Sequence, residues 1–144
     1  MRILRKLTSL THIEICGGGL TDEGLAVLAG LPELRTMNLS QNGGITDRGV
    51  SMLCHLPVLE TLNLSSCGQL MDVSPLGDCA SLEPLNLSGC GQLEDVSALG
   101  QCTSLKTLDL SGCAKLKRVS NLEQCNSLET LNLSGCDDLM DVLG

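Results

Sequence analysis

The six residues LNLSGC occupy positions 85–90 and return letter for letter at 131–136, with LDLSGC at 108–113 between them and LNLSSC at 62–67 before them. Aligning the chain on its leucines extends the repeat. Leu59, Leu82, Leu105 and Leu128 stand 23 residues apart, and the same step separates Leu62, Leu85, Leu108 and Leu131. Leu70, Leu93, Leu116 and Leu139 keep it too, as do Cys67, Cys90, Cys113 and Cys136. Two earlier units fit with small changes of length, one through Leu10, Ile13, Ile15 and Leu20 and one through Leu34, Met37, Leu39 and Ile45. A fixed period of this size, with this leucine spacing, is the signature of a solenoid whose coils bury their apolar faces against each other.

Within each unit the run L-N-L-S alternates apolar and polar residues, the period of a half-buried strand. Leu85 and Leu87 are expected to point inward, Asn86 and Ser88 outward. Successive units then lie side by side as a parallel sheet, with right-handed crossings on the opposite side. The crossings are of two kinds. TDEGLAVLAGLP (21–32) and TDRGVSMLCHLP (46–57) match position by position and read as short helices. Asp22 and Asp47 are their expected N-caps, Leu25/Leu28 and Val50/Leu53 share a face, and Pro32 and Pro57 close the run. DVSPLGDCA, DVSALGQCT and RVSNLEQCN are shorter and predict single turns, helical or 3-10.

Composition fits this scheme and narrows the function classes. The 144 residues are 42% hydrophobic yet include no Phe, Tyr or Trp, so the core must be aliphatic. The missing aromatics remove the stacking platforms of single-strand nucleic-acid binders and the Trp and Tyr anchors of tight protein interfaces. A formal charge of −8 repels phosphate backbones and anionic membrane surfaces, so neither nucleic acid nor membrane is an expected partner. No apolar run approaches a membrane span, and MRILRKLTSL has the charges of a secretory signal without the apolar stretch behind them. The chain reads as intracellular, cytoplasmic residence being the expectation, and its nine cysteines, an odd number, as reduced thiols.

The spacing C-x-x-L-x-x-L-x-L-x-x-C-x-x-L-x-D over Cys79–Asp95 resembles the cysteine-containing class of leucine-rich repeats. The resemblance covers residues 7–144. The finer unit LSGC…L.DVS.L..C.SL is similar to repeats of F-box-associated proteins and of protist, especially trypanosomatid, leucine-rich repeat proteins. Arg118 departs from the Asp of the pattern, and Gly18 and Asn42 stand where later units have Cys. The implied fold is a right-handed α/β solenoid of six repeats in a horseshoe arc. Its parallel sheet lines the concave face, and short helices or 3-10 turns line the convex one.

The chemistry-bearing residues fall within the same repeat. Cys67, Cys90, Cys113 and Cys136 form one column and Cys79, Cys102 and Cys125 another. Neither contains the clustered C-x2-C of a zinc site, and by the family resemblance the first column takes the place of an asparagine ladder. His12 falls outward on the first strand and His55 in the second return helix, and neither has a converging nucleophile and carboxylate. The glycines at 17–19 and 43–44 lack the spacing of a phosphate loop and are expected to supply positive-φ turns. Lys106, Lys115, Lys117 and Arg118 crowd one unit. The 23-residue step sets Lys117 beside Glu94, Lys115 beside Asp138, and Lys106 between Glu83 and Glu129, a pattern of cross-rung pairs. No catalytic residue, cofactor or metal is expected.

The family resemblance implies non-catalytic binding of a protein partner on the concave sheet. Its rows there are Arg35, Glu60, Glu83, Lys106 and Glu129; Thr36, Thr61, Pro84, Thr107 and Thr130; Asn38, Asn63, Asn86, Asp109 and Asn132; and Ser40, Ser65, Ser88, Ser111 and Ser134. Pro84 breaks its row and is expected to remove a ladder hydrogen bond. The alternative is the substrate-recognition part of an SCF-type ubiquitin-ligase adaptor, although this chain contains no F-box. The chain is expected to be one domain, 1–144, without clear caps and so a candidate fragment of a longer array. Leu139, Val142 and Leu143 lack a following coil, which makes the ends candidates for self-association.

Overall fold

The alternation of inward leucine and outward polar residue yields six three-residue strands: β1 (His12–Glu14), β2 (Thr36–Asn38), β3 (Thr61–Asn63), β4 (Pro84–Asn86), β5 (Thr107–Asp109) and β6 (Thr130–Asn132). This computed structural model describes residues 2–140. The strands form one parallel sheet in chain order, so every coil neighbours only the coils before and after it. The register places Ile13, Met37, Leu62, Leu85, Leu108 and Leu131 in a single file. A second inner file, Leu39, Leu64, Leu87 and Leu110, follows two residues later and is fully buried. The fold is the expected leucine-rich-repeat solenoid.

The first two returns are α-helices, α1 (Asp22–Leu28) and α2 (Asp47–Leu53), and bury Leu25/Leu28 and Val50/Leu53 as the pattern requires. Later returns tighten to 3-10 turns at Ser74–Asp78, Ser97–Gln101 and Leu122–Gln124. Another 3-10 turn, Leu4–Lys6, precedes β1. Close approach sets the thinness of these outer turns. A Cβ on Gly77 would lie 2.7 Å from the Ala98 carbonyl oxygen, and one on Gly100 would run into that of Asn121.

Three sequence expectations need correction. Asp22 and Asp47 are not the N-caps; Thr21 and Thr46, in extended backbone, hold those positions. Threonine is a good cap in its own right, and Thr46 Oγ1 accepts from the Arg48 amide. The aspartates open the helices and reach across to the next coil. Asp22 accepts from the Thr46 amide (2.8 Å) and hydroxyl (2.6 Å), and Asp47 from the amides of Met71 (2.8 Å) and Asp72 (3.1 Å). Each carboxylate thus satisfies donors that open the following return.

The glycine runs are not where the chain turns left-handed, Gly17 excepted. That conformation recurs at the third residue after each strand, Gly17, Gln41, Ser66, Gly89, Gly112 and Gly135, with φ from 57° to 72°, and Asn121 shares it (φ 70°) ahead of the Leu122–Gln124 turn. The site is fixed by the strand end, not by where glycine occurs, because the N–H there donates to the next coil. Gly89 donates to the Ser111 carbonyl and Gly112 to that of Ser134, both at 2.7 Å. Gly44 serves close approach instead: a Cβ there would lie 3.0 Å from the Leu20 carbonyl oxygen. The third correction concerns His55, which lies beyond α2 and its C-cap Cys54, exposed.

Asn42 is the buried polar residue of the core. Its Oδ1 accepts from the Gly18 and Leu20 amides, both at 3.2 Å, and its Nδ2 donates to the carbonyls of Ile15 (2.6 Å) and Leu39 (2.9 Å). At the sheet's far edge the inward face is partly open. Leu131 is 41% exposed, Met140 is exposed, and Leu139 packs only partly against the core. Val142 and Leu143 lie outside the described residues.

Two substitutions test this account. Asn42→Ala should lower the unfolding free energy by about 2–3 kcal/mol, because it strands the buried Leu20 amide and removes the bonds to Gly18, Ile15 and Leu39. Urea denaturation measures the loss, and a change below about 0.5 kcal/mol would contradict it. Pro84 removes the bond it was expected to remove. Elsewhere two successive amides converge on one carbonyl, as Lys106 and Thr107 do on Glu83, but at this rung only Glu83 donates to Glu60. The Thr61–Pro84 pair is accordingly missing from the β3–β4 register. Pro84→Thr should raise stability by about 0.5–1 kcal/mol, one net hydrogen bond less the lost rigidity of proline. A lower melting temperature would refute that.

Candidate functional site: the concave sheet face

The outward rows stand where the alternation placed them. Asn38, Asn63, Asn86 and Asp109 are half-buried on β2 to β5, flanked by Thr36, Thr61, Pro84 and Thr107, and Asn132 and Thr130 continue the rows onto β6. Their uniformity has a structural cause that sequence reasoning missed. In all five rungs the side-chain oxygen accepts from the amide two residues on. The bonds are Ser40 to Asn38 (3.2 Å), Ser65 to Asn63 (2.9 Å), Ser88 to Asn86 (2.9 Å), Ser111 to Asp109 (2.9 Å) and Ser134 to Asn132 (3.0 Å). Asn and Asp form such turns readily, and here the turn steers the chain off the strand toward the left-handed residue. The signal was present as a short polar side chain at a strand end. What remains for a ligand in this row is the amide group of each asparagine.

The charged row is largely self-neutralised. Arg35 pairs with Glu60 at 2.9 Å and Lys106 with Glu83 at 3.7 Å, all four about half exposed. Lys117 pairs with Glu94 at 3.1 Å, as the 23-residue step suggested. Lys115 does not reach Asp138; its Nζ donates to Gln92 Oε1 at 2.9 Å, one coil earlier. Lys106 likewise takes Glu83 in the preceding coil and leaves Glu129 to solvent. Exposed pairs of this kind contribute about 0.2–1 kcal/mol each. His12, exposed on β1, touches Glu14 at 3.1 Å.

The thiols of the two columns face the other way, toward the core, whereas Cys16 is exposed. Cys67, Cys90, Cys113 and Cys136 donate to the carbonyls of Leu39, Leu64, Leu87 and Leu110 at 3.1–3.4 Å. Asn42 makes the corresponding bond to Ile15, so the cysteines do occupy the asparagine-ladder position. In the second column Cys102 and Cys125 donate to Leu76 and Leu99. Cys54 also belongs to it, one step before Cys79, and escaped notice because that step is 25 residues. Burial pushes Cys90, Cys102 and Cys113 up to about 12 from an ordinary 9.0, and raises Cys67, Cys125 and Cys136 as well. Among the described residues no group of His, Cys, Asp and Glu is placed to hold a metal ion, and no helix is long and apolar enough to cross a membrane.

Family models for leucine-rich repeats match residues 6–29, 31–54, 80–122 and 103–143. The chain belongs to the leucine-rich repeat family. No curated protein matches it. Among solved structures it is similar to an internalin of Listeria monocytogenes, with 23% identity, a TM-score of 0.75, and coverage of 96% of this chain and 42% of the other. A leucine-rich repeat protein of Leptospira interrogans aligns at 20% identity and a TM-score of 0.71, over 97% of this chain and 34% of the other. The chain thus spans less than half the length of either, and these likenesses speak to fold. Leucine-rich repeat domains in general act as protein-interaction modules and are typically non-catalytic.

The ladder thiols generate a pH prediction. Where the folded state holds a thiol proton up to about 12 and the unfolded state releases it near 9.0, unfolding liberates protons. Stability is therefore intact below about pH 9 and falls as pH rises toward 12, by roughly 1 kcal/mol per such thiol per pH unit. Urea midpoints at pH 8 and pH 10.5 should differ accordingly, and Cys90→Ala should shrink the difference. Equal midpoints would refute the assignment.

Proposed function

We propose that the chain is a non-catalytic interaction module that receives a protein partner on the concave sheet. The observation that carries this reading is the continuous polar surface of β1 to β6, whose outward side chains are fixed by their own turns and cross-rung pairs while the inward ones form the core. The contact row runs through Asn63, Asn86 and Asp109, with Thr61, Thr107 and the Glu60, Glu83 and Lys106 charges beside it. The negative formal charge of the chain favours a partner with a neutral or basic docking surface.

The cysteine ladder, with its bonds to Leu39, Leu64, Leu87 and Leu110, supports placing the chain in the cysteine-containing subclass. Membership there is what supports the finer alternative, substrate recognition within an SCF-type ubiquitin-ligase adaptor. Under that reading the same sheet face receives the substrate.

Affinity capture from native extract, comparing the chain with a triple variant Asn63→Arg, Asn86→Arg, Ser88→Arg of confirmed fold, separates these readings. Recovery of the partner should drop at least about tenfold in the variant, the loss that ~1.4 kcal/mol of contact produces. Cullin-adaptor subunits among the captured proteins would support the adaptor reading. Equal recovery by both forms would move the site off the concave sheet.

A further inference from the structure

Cys79 departs from the rest of its column. Cys102 and Cys125 give their S–H to a backbone carbonyl of the preceding coil, but Cys79 gives its own to the sulfur of Cys54, at an Sγ–Sγ distance of 3.7 Å. The departure lies at the junction between the helical and 3-10 halves of the solenoid. The coil before Cys79 returns through α2, whose C-cap residue is Cys54. It presents a thiol where later coils present a carbonyl. This is the one thiol–thiol hydrogen bond among the described residues.

We propose that Cys54 and Cys79 form an oxidation site, a dithiol that peroxide converts to an inter-coil disulfide. Access and reactivity divide between the partners. Cys54 is half-buried and open to a small oxidant, whereas Cys79 is buried beside it. The hydrogen bond from Cys79 favours the Cys54 thiolate and holds Cys54 below the ordinary thiol range. Giving that bond, together with burial, pushes Cys79 well above it. One sulfur is thus prepared as the nucleophile and the other as the resolving thiol. Cys54 passes its own S–H to the Pro75 carbonyl at 2.7 Å. Cys67, Cys90, Cys113 and Cys125 are buried and receive no hydrogen bond from a second thiol, so they have neither the access nor the activating donor.

The Cys54 thiolate attacks one peroxide oxygen, the O–O bond breaks, and hydroxide leaves and takes up a proton to become water. Cys54 is then a sulfenic acid. Cys79 loses its proton and attacks that sulfur; the S–O bond breaks, and its oxygen departs as a second water. Two electrons pass from the sulfur pair to one peroxide molecule. To reach bonding distance, about 2.05 Å, the sulfurs close by less than the width of one atom. No coil need leave the stack.

The test is a disulfide map of the full chain, fully reduced, treated with hydrogen peroxide, acid-quenched, blocked with maleimide and cleaved at glutamate. The expected product joins fragment 34–60 to fragment 61–83 through Cys54 and Cys79, and dithiothreitol dissolves it. The link should persist in Cys67→Ala, which removes the other cysteine of the second fragment. In Cys79→Ala, Cys54 should stop at a sulfenic acid that dimedone traps. The wild-type map does not depend on either variant folding. A wild-type map in which Cys79 stays alkylatable while Cys54 is oxidised, or in which Cys54 bonds mainly to Cys16, would overturn the proposal.

Discussion

The parallel ladder that holds Ile13, Met37, Leu62, Leu85, Leu108 and Leu131 in one file governs the rest of this molecule. A coil of this length cannot enclose its own leucines; each finds its contacts in the coils on either side. The ladder sets the distance and the angle at which those neighbours arrive. Every other interaction follows from that alignment. The left-handed residue finds the next coil's serine carbonyl, Asp47 finds the Met71 and Asp72 amides, and the ladder cysteines find a leucine carbonyl one coil back. A slip of one residue in any strand would turn its leucines outward and break all of these at once.

Coil number, strand positions, the inward and outward faces and the change from helical to 3-10 returns were legible because periodicity encodes them. Leucine at a fixed step cannot serve another purpose so many times over. The details that were not legible depend on which neighbouring group a polar side chain meets. Nothing local says that Asp22 reaches Thr46, since its own helix offers donors as well and Thr21 was an equally good cap. Gly43 and Gly44 looked like the left-handed turn, but the strand end had already assigned it to Gln41. Cys54 was hidden by the longer step of the helical coils. The outward placement of these rows was legible, but their Asx turns were not, because the same asparagines would read equally well as contacts for a ligand.

The buried ladder shows how an aliphatic core tolerates its polar seams. Asn42 reaches five backbone groups with one carboxamide, at the cost of burying a strongly hydrated side chain. A thiol in the same place makes a weaker, single bond but costs little to desolvate, and it fills the space as a small hydrophobe. The four cysteines recur at a constant 23-residue step, and a small thiol suits such tight and regular stacking. Glycine at 77 and 100 contributes to the same tightness on the outer side.

A surface built from repeated rungs has translational symmetry, and symmetry leaves register undetermined. A ligand that contacts only threonine, asparagine and serine rows meets nearly the same environment after moving by one strand spacing, about 4.8 Å. Its bound states would then form a set of almost equal energies rather than one pose. Three neighbouring positions lift the degeneracy: Pro84, with its missing donor, Lys106, a cation between Glu83 and Glu129, and Asp109, whose carboxylate stands in an asparagine row and also takes the Ser111 hydroxyl. They sit together on β4, on β5 and at the residue that leads into β5. Under the proposed function, a partner that docks in one place would have to be read there, the flanking rungs lengthening the contact without choosing where it begins.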